Sequence, residues 1–192
     1  MSRRPGKAAI LRAAVQVMGE DGYEGASMRD MAARAGVSVA ALYHHFPSKQ
    51  ALLAEFLVEA HEVTLNRVLR RLEGCTDPVE RLGEIAATLV WTHLHDEFAQ
   101  SASLVAAREH TRLDGADRAA VEAQRAQVLD LVESVIADGV AAGAFTTDRP
   151  REAARAVLTL VTAIVEPYRE MGCGLDEAIA LYRRFALALA SA

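Results

Sequence analysis

The chain has 192 residues, 52% of them hydrophobic and 5% aromatic, and carries a formal charge of −5 at pH 7. So much apolar content excludes a wholly disordered chain, and abundant Ala, Leu, Arg and Glu with few aromatics favour helix over strand. No apolar run reaches the roughly 18 residues that a membrane span needs.

The start, MSRRPGKAAILRAA, lacks the continuous apolar stretch of a secretory leader, and Cys75 and Cys173 form no CxxC pair. A cytoplasmic, reduced setting is the expectation. The charge is unevenly spread. Residues 1–50 hold seven basic and four acidic side chains, net +3, which leaves 14 and 22 in residues 51–192, net −8. A basic head on an acidic body implies that only the head meets a polyanion.

The first helix is expected from about Pro5, a residue suited to a helix start. Ile10, Leu11, Ala14, Val15 and Met18 give it one apolar face, and Asp21-Gly22 ends it. Ser27 caps a second, short helix, with Asp30 in the place a capping-box Glu would take. Its Met28, Met31, Ala32 and Ala35 face a core. Gly36 stops it, and Ser38 caps a third helix after a turn of about three residues. Two short helices joined so tightly form a helix-turn-helix. Pro47 ends the third helix, and Ser48 caps a fourth that runs to about Glu73.

Further helices follow. Pro78 starts one with Leu82, Ile85, Ala86 and Leu89 on one face. A break near Leu94 to Asp96 precedes a helix from Glu97 to about Arg108. A long helix spans about Asp117 to Ala142. Pro150 precedes a helix carrying Ala154, Val157, Leu158, Val161, Ile164 and Val165. Gly172-Cys173-Gly174 separates it from a last helix with Ile179, Tyr182, Phe185 and Leu189. No strand alternation or internal repeat appears. The expected fold class is all-α: an N-terminal three-helix helix-turn-helix domain, residues 1–50, then a helical-bundle effector-binding and dimerisation domain, residues 51–192.

In the third helix Leu42 and Phe46 are four apart and point into the head's core. Val39 and Ala40 sit in the first turn, where a recognition helix reaches base edges. Small side chains there can touch thymine methyls but cannot make bidentate hydrogen bonds. Tyr43 and His44 lie further along and are assigned to phosphate, whereas His45 is expected to pack inward. Ser27, Arg29, Ser38 and Lys49 lie at or near helix N-termini, which favour phosphate. Arg3, Arg4 and Lys7 form a basic arm for backbone or minor groove.

The segment from Ile10 to Leu57 resembles the DNA-binding region of the TetR family of bacterial regulators. The resemblance rests on the Ala32-Ala33-Arg34-Ala35-Gly36 turn and on Leu42-Tyr43-His44-His45-Phe46 at their mutual offsets. It implies a homodimeric repressor that leaves a palindromic double-stranded operator when a small molecule binds, with no cofactor and no membrane partner. The C-terminal half resembles TetR-like regulators of fatty-acid and lipid catabolism, which implies an acyl-CoA or similar effector.

Trp91, His95, Phe98, Arg108, Thr159, Thr162 and Glu166 interrupt apolar helix faces, the pattern of a mostly apolar pocket with a few orienting groups. They are the ligand candidates, with His95 and Arg108 available to a polar or anionic head. Val157, Leu160, Val161, Ile164, Tyr168, Tyr182, Phe185 and Leu189 on the last long helices offer apolar surface for an isologous dimer. His93 and His95 diverge on a straight helix with no matching Cys or His cluster nearby, so a metal site is not expected. The alternative function is a small helical enzyme or ligand carrier, but no HExxH, GxSxG or P-loop pattern is present.

Overall fold

A computed structural model describes residues 6–192, so Arg3, Arg4 and Pro5 lie outside the described residues. Among the described residues the chain forms ten α-helices, one short 3-10 turn and no strand. They are α1 (Lys7–Gly25), α2 (Met28–Ala35), α3 (Val39–His45), α4 (Lys49–Arg71), α5 (Pro78–Leu94), α6 (Glu97–Glu109), the 3-10 turn His110–Arg112, α7 (Gly115–Ala141), α8 (Pro150–Thr162), α9 (Val165–Met171) and α10 (Leu175–Ala190). No helix of the described residues is long and apolar enough to cross a membrane.

Two compact units result. One takes the described residues up to Ala60 with Gln100–Glu122; the other takes His61–Ala99 and Ala123–Ala192. The sequence-based boundary after residue 50 falls inside α4, and α4, α6 and α7 each contribute residues to both units.

The first unit is organised by local signals. The expected end of the first helix is a break within α1. Gly22 has φ 71 and ψ 169, a region open essentially to glycine alone, and Tyr23 to Gly25 follow as a short extra turn. Ser27 caps α2, its hydroxyl oxygen accepting the Asp30 N–H at 3.2 Å. The Asp30 carboxylate accepts from the Ser27 hydroxyl, so these two side chains pair with each other. Gly36, at φ 67, closes α2. Its N–H reaches Ala33 O at 3.1 Å and the Val37 N–H reaches Ala32 O at 3.0 Å, the paired bonds of a glycine C-cap. Ser38 then caps α3 through the Ala41 N–H at 3.1 Å, and Ser48 caps α4 through the Ala51 N–H at 3.0 Å.

These caps aim the apolar faces at one core. Ile10, Val15, Met18, Met31, Leu42, Phe46, Leu52 and Leu53 are all essentially inaccessible. Each large side chain removed from water contributes about 1.5–3 kcal/mol. Arg34 fixes α2 to α1 through two bonds to Glu20, at 2.9 and 2.6 Å. The same hydrogen bonds hold the exposed Glu20 carboxyl below its ordinary pKa.

In the second unit α5 packs against α8 and α10, which also pack on each other. Pro78 opens α5, and Asp77 caps it by accepting the Glu80 N–H at 2.8 Å. Asp96 then caps the start of α6 through the Ala99 N–H at 2.7 Å, which accounts for the break expected near Leu94. Arg151 ties α8 to α7 through Glu133 and Asp130. The helix expected from Pro150 through Val165 is two helices, broken at Ala163 (φ −84, ψ 5). Pro167 is the reason: it lacks an N–H and its ring conflicts with the carbonyl four residues earlier, that of Ala163.

Candidate nucleic-acid interface

The N-terminal ends of α2, α3 and α4 meet around one open cleft. Ala26, Ser27, Met28, Arg29, Val39, Tyr43, Pro47, Ser48 and Lys49 line its roughly 520 Å³. Ser27, Arg29, Val39, Tyr43 and Lys49, assigned to DNA from the sequence, are thereby brought together. Helix starts carry free N–H groups and partial positive charge, so a cleft edged by them suits phosphate. Val39 is 39% and Tyr43 49% exposed, although both are large and apolar or aromatic. Leu42 and Phe46, on the other face of the same segment, are fully buried. The four-residue spacing therefore divides this segment into a core face and an outward face, as its pattern implied.

Ser38, Ala40 and His44 are also on the exposed side of α3. His45 does not pack inward: it is exposed, with its ring edge-on to His44 at 5.6 Å between centroids. One apolar side chain per turn, Leu42 with Phe46 behind it, already fills the space beneath α3. Arg29 makes no ion pair among the described residues and stands exposed at the cleft. Lys7 is ion-paired with Glu55 and its ammonium lies 5.5 Å from the centre of the Phe46 ring.

Lys49 has a structural attachment that its sequence position did not indicate. Its ammonium donates to the carbonyls of Tyr23 and of Ala26, the latter at 3.0 Å. It also lies 4.2 Å from the centre of the Tyr23 ring, within cation–π range. Lys49 thus binds the α1–α2 connection to the start of α4 while its charge borders the cleft. Burial pushes the Tyr23 phenol above its ordinary pKa, with Glu24 adding to the shift and Arg112 opposing it.

Of the proposed ligand residues, Trp91 and His95 are brought into direct contact. Trp91 is 37% exposed. The His95 ring stacks on it at 4.1 Å and 6° between planes, and the Arg67 guanidinium lies 4.6 Å from its centre. Arg67 also donates to Thr92 Oγ1 at 3.0 Å. Arg67 and Thr92 were not singled out in the sequence, because a lone Arg and a lone Thr on different helices leave no local pattern. Phe98 is half-buried and Arg108 is exposed.

Thr159, Thr162 and Glu166 lie on the outer surface. All three are exposed, and the two hydroxyls donate to carbonyls one turn back, Arg155 O at 2.8 Å and Leu158 O at 2.7 Å. The inner face of α8 is occupied by Ala153, Ala154, Val157 and Val161, which leaves these polar residues outside.

The residues expected at a dimer interface divide by burial. Val157, Val161, Ile164 and Tyr182 are buried within their own chain, so they have no surface left for a second copy. Phe185 is 43% exposed. With Leu160, Ala188, Leu189 and Ala192 it lines an apolar groove of about 400 Å³. Tyr168 is half-buried on α9.

Comparison with known proteins agrees with this architecture. Residues 10–56 match the model for bacterial regulatory proteins of the tetR family, and residues 75–189 match that for the tetracyclin repressor-like C-terminal domain. The transcriptional regulator UidR of Escherichia coli K12 is 32% identical over 102 residues, covering 53% of this chain and 50% of UidR. The chain spans about half the length of such curated relatives. AibR, solved in complex with isovaleryl coenzyme A and operator DNA, is 28% identical, with a TM-score of 0.81 over 90% of this chain and 92% of AibR. A tetR-family regulatory protein from Rhodococcus RHA1 shares the fold at a TM-score of 0.87, with 22% identity, covering 100% of this chain and 98% of its own. With one family model over the helix-turn-helix and another over most of the helices that follow, the chain belongs to the TetR family of bacterial transcriptional regulators.

Proposed function

We propose that this chain is a homodimeric repressor that binds a palindromic operator in the bacterial cytoplasm and leaves it when a small, largely apolar effector binds. One observation carries the DNA reading: Ser27, Arg29, Val39, Tyr43 and Lys49 line a single open cleft edged by helix N-termini. Phosphate contacts from this rim fix the register, and the small first-turn residues Val39 and Ala40 read base edges by shallow apolar contact. Residues 1–50 then carry recognition, while residues 51–192 carry effector binding and dimerisation.

The effector reading is supported by AibR, which was crystallised with isovaleryl coenzyme A. Within this chain Trp91 is covered by the stacked His95 ring and by the Arg67 guanidinium, which leaves the outer His95 face and the indole edge beside a cation. Such a pair suits a flat or apolar molecule bearing an anionic group. Phe98 and Arg108 remain separate ligand candidates from the sequence. The dimer reading now rests on Leu160, Phe185 and Leu189, whose apolar groove is continuous over α8 and α10.

The test is anisotropy of labelled DNA from the promoter beside the gene, with excess random DNA present, followed by titration of isovaleryl-CoA and longer acyl-CoAs. Binding that survives the competitor and is reversed by an acyl-CoA is the expected result. Binding no tighter than to random DNA ends the regulator reading, and release by hydrophilic compounds alone ends the apolar-effector reading.

A further inference from the structure

A cluster of charged and polar side chains sits behind the cleft, where the 3-10 turn His110–Arg112 meets the end of α1 and the start of α4. The Arg112 guanidinium pairs with Glu24 of α1 and with Glu109 of α6. It also lies 5.5 Å from the centre of the Tyr23 ring. The backbone of the same residue is used as well, because its carbonyl accepts the Gln50 side-chain amide at 3.1 Å. Arg112 therefore grips α1 with its side chain and the first turn of α4 with its carbonyl.

The segment it grips is the one that holds Lys49. The Lys49 ammonium is bound by the Tyr23 and Ala26 carbonyls and rests against the Tyr23 ring. Gly22, at φ 71, is what swings Tyr23 and Glu24 out of the regular course of α1. A three-residue turn hinged on a glycine keeps its direction only if something fixes its far end. Glu24 and Tyr23 are fixed by Arg112. The Tyr23 carbonyl, one of the two Lys49 acceptors, lies in the segment so held, while Ala26 is fixed separately by burial and by its N–H bond to the Gly22 carbonyl.

We propose that Arg112 is a positioning residue for the DNA cleft: by anchoring Tyr23 and Glu24 it sets where the Lys49 charge lies at the rim. The proposal rests on the regulator reading for its consequence on DNA, but not for its effect on Lys49. The turn that carries Arg112 joins α6 to α7, so a rearrangement of either helix alters the grip.

The experiment uses the full chain and three variants. Arg112→Met keeps length and removes charge, Arg112→Lys restores charge without the planar fork, and Tyr23→Phe keeps the ring and serves as the control. The first readout, without DNA, is the rate of Lys49 acetylation by acetic anhydride, followed by mass spectrometry. The second is operator affinity. Expected is at least a threefold faster acetylation of Lys49 in Arg112→Met, with Lys7 unchanged, a partial return in Arg112→Lys, and wild-type behaviour in Tyr23→Phe. Operator affinity of Arg112→Met should fall at least fivefold, while its melting temperature stays near wild type, because exposed ion pairs add little stability.

Wild-type acetylation of Lys49 in Arg112→Met overturns the latch, whatever happens to DNA affinity. Faster acetylation in a protein whose wild type binds no specific DNA keeps the latch and removes the regulator reading instead. Should Arg112→Met fail to fold, Glu24→Gln tests the same anchor from the other side with the same two readouts.

Discussion

The ring of Phe145 occupies the space that a side chain at Gly139 would need. A Cβ on Gly139 would overlap Phe145 Cδ2 and Cε2. Phe145 is itself buried, and its N–H and that of Ala144 both donate to the Gly139 carbonyl, at 3.2 and 2.8 Å. Ring and backbone are thus both fixed, so neither can give way cheaply. Gly139→Ala gains about 1 kcal/mol of helix propensity but overpacks a closed site by about 1–3 kcal/mol. A net loss of a few degrees in melting temperature is expected, and it should disappear when Gly139→Ala is made in a Phe145→Ala background.

Acid should destabilise the protein through His93. Its Nε2 is shielded from solvent, and burial, with a smaller contribution from the neighbouring charge of His61, lowers its pKa from 6.5 to about 4. Between these values the unfolded chain binds the proton more readily than the folded one. Stability from this group is therefore complete above pH 6.5 and declines as pH falls towards 4. The loss between neutral pH and pH 4.5 is on the order of 2 kcal/mol. Urea unfolding of wild type and of His93→Phe at both pH values measures it. Equal acid sensitivity in the two proteins would exclude His93 as its source.

Salt dependence separates positioning from base reading at the cleft. Arg29→Ala should weaken binding to all sequences alike and reduce the slope of log K against log salt by about one phosphate's worth. Ala40→Gln should leave that slope intact and change base preference, because it adds hydrogen-bonding groups to a first turn that has none. An unaltered slope for Arg29→Ala would remove that residue from the interface.

The two faces of α8 and α10 predict opposite failures. Phe185→Glu puts a charge in the exposed apolar groove and should give a folded monomer by light scattering and circular dichroism. Val161→Asp puts an unpaired charge into the chain's own core, at a cost of several kcal/mol, and should unfold the second unit. A folded, fully dimeric Phe185→Glu protein would remove the groove from the dimer interface.

The helix-turn-helix was legible because its signals are local. Ser27, Gly36, Ser38 and Ser48 cap or close helices within five residues of themselves, and a four-residue spacing is enough to put Leu42 and Phe46 inside. The break before α9 was equally local, in Pro167, but the apolar residues on either side of it suggested one continuous stripe. Partners far along the chain left no such trace. The acceptors of Lys49 are 23 and 26 residues before it, and Arg112 meets Glu24 across 88 residues. Nor could the apolar residues of α8 and α10 declare which core they fill. Val161 and Leu160 are adjacent and similar, yet one is buried in its own chain and the other lines a groove.

Because α4, α6 and α7 each supply residues to both compact units, no linker separates the two. The recognition head is accordingly not a detachable module: excised at Ala60, it would lose Val105, Leu113 and Val121 from the set of buried side chains.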